Sequence, residues 1–312
     1  MGHMSKPELI MEALDESGIK RLAAAGAPHP EEPPTVEYCG TEKPELLFWQ
    51  DGVYVLRDKE GQSSSLVISG IGKPLEVKGP WKVTFPPDLA APREIILPQL
   101  MSLHRHSEAG VKYFSGTATY TNQFSLVLEQ GFRPAHADAS SRSGQALKGG
   151  STTDADVKVC PTGAATGAKT GGKRLFLDLG WVEVIAEVKL NGKEIGNVWK
   201  PPYRLDITDV VRPGRNELEI RVTNQWTNRL IGDEQLPPEY EYGGGGFFNY
   251  NGPGMDAIQK IPDWYTQGKP KPAGARVTFC VWKHYGKDDP LLESGLIGPV
   301  RLRTAVRRVV GG

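Results

Sequence analysis

No stretch of about 18 consecutive apolar residues occurs in the 312-residue chain, so no membrane-spanning helix is expected. Net charge is missing as well. With 37 basic residues against 37 acidic ones, no overall field draws the molecule to nucleic acid or to an anionic membrane, and neither is expected as a partner. Cysteine is scarce: Cys39, Cys160 and Cys280 lie far apart and fall in no CxxC pattern. The odd count leaves at least one thiol free or bonded between chains, and it argues against a zinc site. Cys280 stands in the apolar run VTFCVW, which suits a buried, inert thiol. Regular alternation of strand-like and helix-like segments is also lacking, which disfavours an α/β barrel or a Rossmann sheet. The opening MGHM reads as an artificial leader, so a natural signal peptide would lie out of view.

What is present is mostly short strands. Residues 5–28 are the exception, with Leu9, Ile10, Leu14, Ile19 and Leu22 at roughly helical spacing before a Gly/Pro stop, which predicts an amphipathic helix or helical pair. From about residue 35 the runs ELLFW, GVYVLRD, SSLVIS, LEVKG and WKVTF alternate, and DG at 51–52 and EG at 60–61 suggest consecutive antiparallel strands. Alternation is clearest over 116–128, GTATYTNQFSLVL. Residues 129–173 then carry too little apolar surface to offset chain entropy and predict a long mobile insertion, with VKVC at 157–160 as a short strand inside it. It reads as an insertion because the strands on its two sides are expected in one sheet system.

Strands resume at RLFLDLG, VEVIAEVKL, KEIGNVW and NELEIRVTN, with NG at 191–192 as a two-residue hairpin signal and PGRN at 213–216 as a further turn. The glycine-rich and aromatic residues 243–256 predict a flexible loop, and ARVTFCVWKHY and LIGPVRLRT predict two closing strands. The fold class that fits is a mostly β sandwich. Its organisation is a helical segment plus small β extension over 1–72 and a sandwich over 73–308 that contains the insertion.

The segment LDLGWVEVIAEVKLNGKEIGNVWKPPYRLDITDVVRPGRNELEIRVTN, with GVKYFSGTATYTNQF upstream, resembles the jelly-roll, galactose-binding-like sugar-binding domain of family 2 glycoside hydrolases. More narrowly, KGPWKVTFPP, NRLIGDEQLP and WYTQGKPKPAGARVTFCVWKHYGKDDPLLESGLIGPVRL resemble, in order, the C-terminal region of family 106 α-L-rhamnosidase-like glycoside hydrolases. The matching pieces run from about 74 to 304. The resemblance implies carbohydrate and a catalytic (β/α) barrel as partners, and a secreted or periplasmic parent. This chain has no room for such a barrel, so no catalytic residue carries over. It also departs from the family in the roughly 45 residues where a short loop is usual.

Several constellations compete with plain folding roles. Glycoside hydrolysis needs two carboxyls about 5–5.5 Å or 6.5–9.5 Å apart across a pocket. Asp233 with Glu234, and Asp288 with Asp289, are sequence neighbours that diverge on an extended chain, so solvated acids or turn caps are the plainer reading; calcium is the alternative at Asp288 and Asp289, and no other cofactor is expected. His104 and His106 in LHRHSE would share one face of a strand, but without a third ligand they read as surface histidines. Trp199, Tyr203 and Arg204 combine rings for apolar C–H faces with a bidentate donor, as a sugar site requires, or else fill a sheet corner. Asn224, Trp226, Asn228, Arg229 and Asp233 follow a strand end, where binding groups collect on β scaffolds, or else brace a long loop. Trp282 alternates with Cys280 on one strand face and is expected in the core. Three functions remain: an accessory sandwich that binds carbohydrate or supports a barrel, a free-standing hydrolase of rhamnose-containing glycans drawing its acids from Asp233, Glu234 or the 243–256 loop, and an interaction module without sugar affinity.

Overall fold

The computed structural model describes residues 35–39, 45–57, 62–128, 156–159, 172–243 and 257–309. The expected helix within 5–28, Cys160, the 244–256 loop and most of the 129–173 insertion lie outside the described residues.

Strands β1 (Val36–Cys39) and β2 (Glu45–Phe48) precede the hairpin β3 (Gly52–Arg57) and β4 (Ser63–Ile68), then β5 (Leu75–Glu76), β6 (Trp81–Thr84) and β7 (Glu94–Leu97). Helix α1 (Ala109–Lys112) leads into the long β8 (Thr117–Leu128). Next come β9 (Asp156–Val159), β10 (Lys173–Asp178), β11 (Trp181–Glu183), β12 (Ile185–Leu190), β13 (Lys193–Val198), β14 (Arg204–Asp206) and β15 (Gly214–Thr223). Helix α2 (Thr227–Asp233), β16 (Tyr242–Gly243), β17 (Ala257–Ile258), helix α3 (Asp263–Thr266), β18 (Gly295–Gly298) and β19 (Arg301–Val309) follow.

The strands form a mostly β, galactose-binding-like sandwich. One sheet runs β13-β12-β15-β8-β6-β7, with β9 parallel to the end of β8; the other runs β1-β2-β19-β10-β14, with β5 on β19. Alternation explains the core. Along β8 and β15 the even-numbered Ala118, Tyr120, Phe124, Leu218, Ile220 and Val222 are buried, and Leu175, Leu177 and Leu302 of the facing sheet meet them in one cluster. β8 and β10 therefore lie in opposite sheets around a shared core, where one sheet system was expected.

Turn chemistry succeeds at one site and fails at another. Asn191 and Gly192 take φ of 54° and 78°, the conformation of a type I′ hairpin, and join β12 to β13. Asp51 and Gly52 make no hairpin: β3 pairs with β4, and the Asp51 carboxylate accepts the N–H groups of Gly70 (3.1 Å) and Ile71 (2.8 Å).

Two further expectations are corrected. ARVTFCVWKHY is not a closing strand, because the backbone N–H groups of Val277 and Thr278 are taken by the Asp233 carboxylate, and among the described residues its strand-like pairing is limited to an Ala257–Trp282 bridge and an Ile258 N–H bond to the Val281 carbonyl. Trp282 is accordingly half-buried and outside the core. LIGPVRLRT divides into β18 and β19 at Gly298 (φ 73°), where the chain passes so close to Gly180 that a Cβ there would lie 2.4 Å from the Gly298 carbonyl. β18 pairs with β11, whereas β19 crosses to β10 and β2.

Candidate functional site

The strands β13 and β15 run in the same direction, two positions apart in one sheet, so the segments after Val198 and after Thr223 emerge at the same end of the sandwich. Both groups of candidate residues therefore start from one end. They are used differently.

In the first group, Tyr203 is buried, its ring edge-on to Trp181 at 5.6 Å, and burial pushes its phenol pKa up. Arg204 stacks over Trp49 (4.6 Å) and donates to both oxygens of Glu37, at 2.6 Å and 3.3 Å. That pair ties β14 to β1. Trp199 by contrast is 65% exposed, with Lys200 beside its ring.

The second group begins with a clamp. Asn224 accepts from the Gly116 N–H (2.8 Å) and donates to the Phe114 carbonyl (2.9 Å), closing the entry of β8 onto the exit of β15. The expected loop beyond it is a short helix, α2, whose polar side chains are spent on holding it. Asn228 reproduces a backbone pair with Leu292, donating to its carbonyl (2.7 Å) and accepting from its N–H (2.8 Å). Arg229 and Asp233, both buried, meet at 3.0 Å across one helical turn. Asp233 also accepts from the N–H groups of Val277 (3.2 Å) and Thr278 (2.7 Å) and from the Thr278 hydroxyl (2.6 Å). Trp226, at the helix start, is 51% exposed.

Six of the eight candidates thus have their polar groups or rings engaged inside the fold, and two tryptophans face outward. Between the strands that carry them Ile185, the first residue of β12, is also exposed.

Around α2 the structure adds Arg276, Lys271 and Glu239, which sequence reasoning missed. Glu234 accepts from Arg276 (2.6 Å) and lies 3.6 Å from Lys283, while Arg276 also donates to the carbonyls of Leu236 and Pro237. Glu239 pairs with Lys271 at 2.7 Å; burial raises its carboxyl, but hydrogen bonds from Lys271 and the Arg276 N–H outweigh it and hold the pKa low. Tyr242, Trp282 and Tyr285 wall a cleft beside Glu234 with a free volume of about 20 Å³, room for a water and not for a sugar. Cys280 lies there as a free thiol whose pKa burial raises, which keeps it poorly nucleophilic. Arg276 and Lys271 stand more than thirty positions from their acidic partners, so no local motif announces them.

His104 does not lie on a strand. It sits in a 3-10 turn (Leu103–Arg105) with its Nδ1 2.6 Å from the Ser102 hydroxyl, and the Glu108 N–H donates to His106 Nδ1. Asp289 accepts the Gly286 N–H (2.8 Å) and so closes a turn. Among the described residues no group of three or more His, Cys, Asp or Glu is placed to hold a metal.

The segments after β13 and β15, helix α2 and the two exposed tryptophans thus belong to one end of a two-sheet sandwich. Residues 161–264 match the glycosyl hydrolase 2 galactose-binding domain-like family model. The match runs from β10 through β15 and α2 and takes in both groups of candidates. A putative beta-glucuronidase of Formosa agariphila is 35% identical over 257 residues, which is 82% of this chain and 18% of that protein. The structure of a rhamnosidase from Novosphingobium sp. PP1Y is similar with a TM-score of 0.50 at 27% identity, over 85% of this chain and 21% of that one. The chain with the galactose-binding-like domain spans about a fifth of the length of these relatives.

Proposed function

We propose that this chain is the non-catalytic accessory sandwich of a larger glycoside hydrolase of the α-L-rhamnosidase type, supporting a catalytic barrel outside this polypeptide and holding carbohydrate at its loop end. The observation that carries the reading is the size relation: nearly the whole chain corresponds to about a fifth of a rhamnosidase. The engagement of the carboxylates supports it. Asp233 is buried with its oxygens committed to Arg229, Val277 and Thr278, and the cleft beside Glu234 is too small for a sugar, so neither is placed as an acid or base against a glycosidic bond. Trp199 and Trp226 are the groups free to stack on a sugar face, and the remaining candidates hold the loops that present them.

A β-glucuronidase parent is the second reading, favoured by the 35% identity to the putative beta-glucuronidase. Calorimetry and tryptophan fluorescence against rhamnose-containing and glucuronate-containing oligosaccharides test both. Binding that weakens at least tenfold in Trp226→Ala or Trp199→Ala, with no release of aryl rhamnoside or aryl glucuronide by the isolated chain, is the expected result. Turnover by the isolated chain that disappears in Glu234→Gln would replace this reading with that of a free-standing hydrolase. Absence of any sugar binding would leave the interaction module.

A further inference from the structure

The outer face of the larger sheet holds a concavity of about 700 Å³, within the range of ligand sites and far larger than the cleft at α2. Its floor is made of outward side chains in register. Lys82 of β6 lies opposite Thr121 of β8, Thr121 opposite Glu219 of β15, and Glu219 opposite Lys189 of β12. One step along, Gln123 of β8 lies opposite Glu217 of β15. Across the sheet this floor is about 14 Å wide, three strand spacings. The segment Lys78–Pro80 forms one wall, fixed where the Asn122 amide donates to the Lys78 carbonyl (3.0 Å), and the β12–β13 turn at Gly192 forms the other.

The chemistry of the floor selects a ligand class. Charges of both signs are interspersed: Lys78, Lys82 and Lys189 line the trough with Glu217 and Glu219, and Glu94 at its margin is paired with Lys82 at 2.5 Å while Glu219 lies 3.8 Å from Lys189, so three ammonium groups meet three carboxylates and the field selects neither a polyanion nor a polycation. Among the described residues no aromatic ring is exposed on it, which removes base stacking, and Ile96 is the one large apolar side chain exposed at its margin. What remains is a dense mosaic of donors and acceptors, in which one hydroxyl can accept from a lysine and donate to the neighbouring glutamate or glutamine.

We infer that this trough is a second carbohydrate site, for a neutral, hydroxyl-rich oligosaccharide of a few residues, separate from the rings at the loop end. The inference rests on the carbohydrate reading above. From Gln123 to Thr117 at the loop end is about 20 Å of strand, so a longer glycan lying along β8 would run from the trough toward Trp226.

Calorimetric titration of the full chain with neutral rhamnose-, xylose- and glucose-based oligosaccharides, and with galacturonate oligosaccharides of equal length, is the test. At least one neutral series binds, the amide resonances of Thr121 and Glu217 shift on binding, and Gln123→Ala/Lys189→Ala/Glu217→Ala weakens binding at least tenfold while Trp226→Ala leaves the Thr121 shift intact. All three substituted side chains point outward, so unchanged thermal unfolding of the variant is expected and is measured alongside. Binding lost in Trp226→Ala but untouched by the triple variant, with no shift at Thr121, overturns the trough and leaves the loop-end reading standing. Galacturonate binding tenfold tighter than every neutral series overturns the ligand class, and no binding by any sugar overturns both sites.

Discussion

Asp233 illustrates how much of the loop end depends on single side chains. Its carboxylate is buried and compensated by Arg229, by two backbone N–H groups and by the Thr278 hydroxyl. Asp233→Ala leaves Arg229 charged and unpaired in the interior and frees the 277–278 backbone, so a loss of about 3–5 kcal/mol is expected in urea or thermal unfolding. Because the two residues act as one unit, Arg229→Met combined with Asp233→Leu should cost less than the sum of the single changes. Among such residues the sequence reading found the right types and left open whether they brace the loop or meet a ligand. Asn224, Asn228, Arg229 and Asp233 stood out as a polar group after a strand, and the i,i+4 spacing of Arg229 and Asp233 is local, yet the Leu292 held by Asn228 is 64 positions away and the Thr278 held by Asp233 is 45, and local spacing carries no trace of those two. His104 supplies a pH test. Burial, then the neighbouring Arg105, lowers its pKa below 6.5, so the folded state binds fewer protons than the unfolded chain near that pH. Its contribution is therefore present above about 6.5 and is lost as pH falls through the lower folded value. The urea midpoint should drop between pH 7.5 and 5, and His104→Asn should flatten that part of the profile; an unchanged slope in the variant would remove His104 as the cause.

At the level of elements, strands were legible wherever alternation and a local turn agreed. β12 satisfies both and β8 and β15 show the alternation in full, each burying alternate residues against the same core, while the Asn191–Gly192 turn sets the register of β13, which buries Val198 alone. The Asp51–Gly52 pair carries the same signal and fails, because a remote backbone claims the aspartate. Over 275–285 the alternation was genuine in sequence, but among the described residues it meets β17 at a single bridge, and side chains of α2 and its continuation took the backbone instead. The turn after β14 is held from inside. Asn216, fully buried, donates to the carbonyls of Arg212 and Gly214 and accepts from the Arg212 N–H and the Asn191 amide, so one side chain joins the entry of β15 to the β12–β13 turn. Asn216→Leu should strand several of these groups without water and cost about 3 kcal/mol or more, whereas Asn216→Asp keeps the accepting half and should cost less. Denaturant titration of both variants decides; equal and small losses would mean that the turn finds other partners.

Across the whole molecule, stability is unevenly distributed, and the contacts say where. The two sheets share one continuous core, in which Trp81, Tyr120, Leu175, Leu190 and Leu302 are buried, so β8, β12, β15, β10 and β19 should open together. The hairpin β3–β4 stands outside that unit. Among the described residues its strands pair with each other alone, it reaches the rest through a small cluster in which Ile68, Tyr54 and Leu66 meet Phe48 and Val306, and its other face leaves Val53, Val55 and Val67 exposed. A two-stranded ribbon of this kind is marginal without its anchor. Native-state hydrogen exchange should therefore show the amides of Val53–Leu56 and Ser64–Val67 opening at a clearly lower free energy than those of β8 and β15. Phe48→Ala should widen that gap, because it empties the anchor at a cost of about 3–5 kcal/mol, whereas Val67→Thr on the exposed face should leave the core amides within about 0.5 kcal/mol of their original values. Hairpin amides that exchange only with global unfolding would show instead that Phe48 and its neighbours couple the ribbon fully to the sandwich, and the molecule would then be one cooperative unit from β1 to β19.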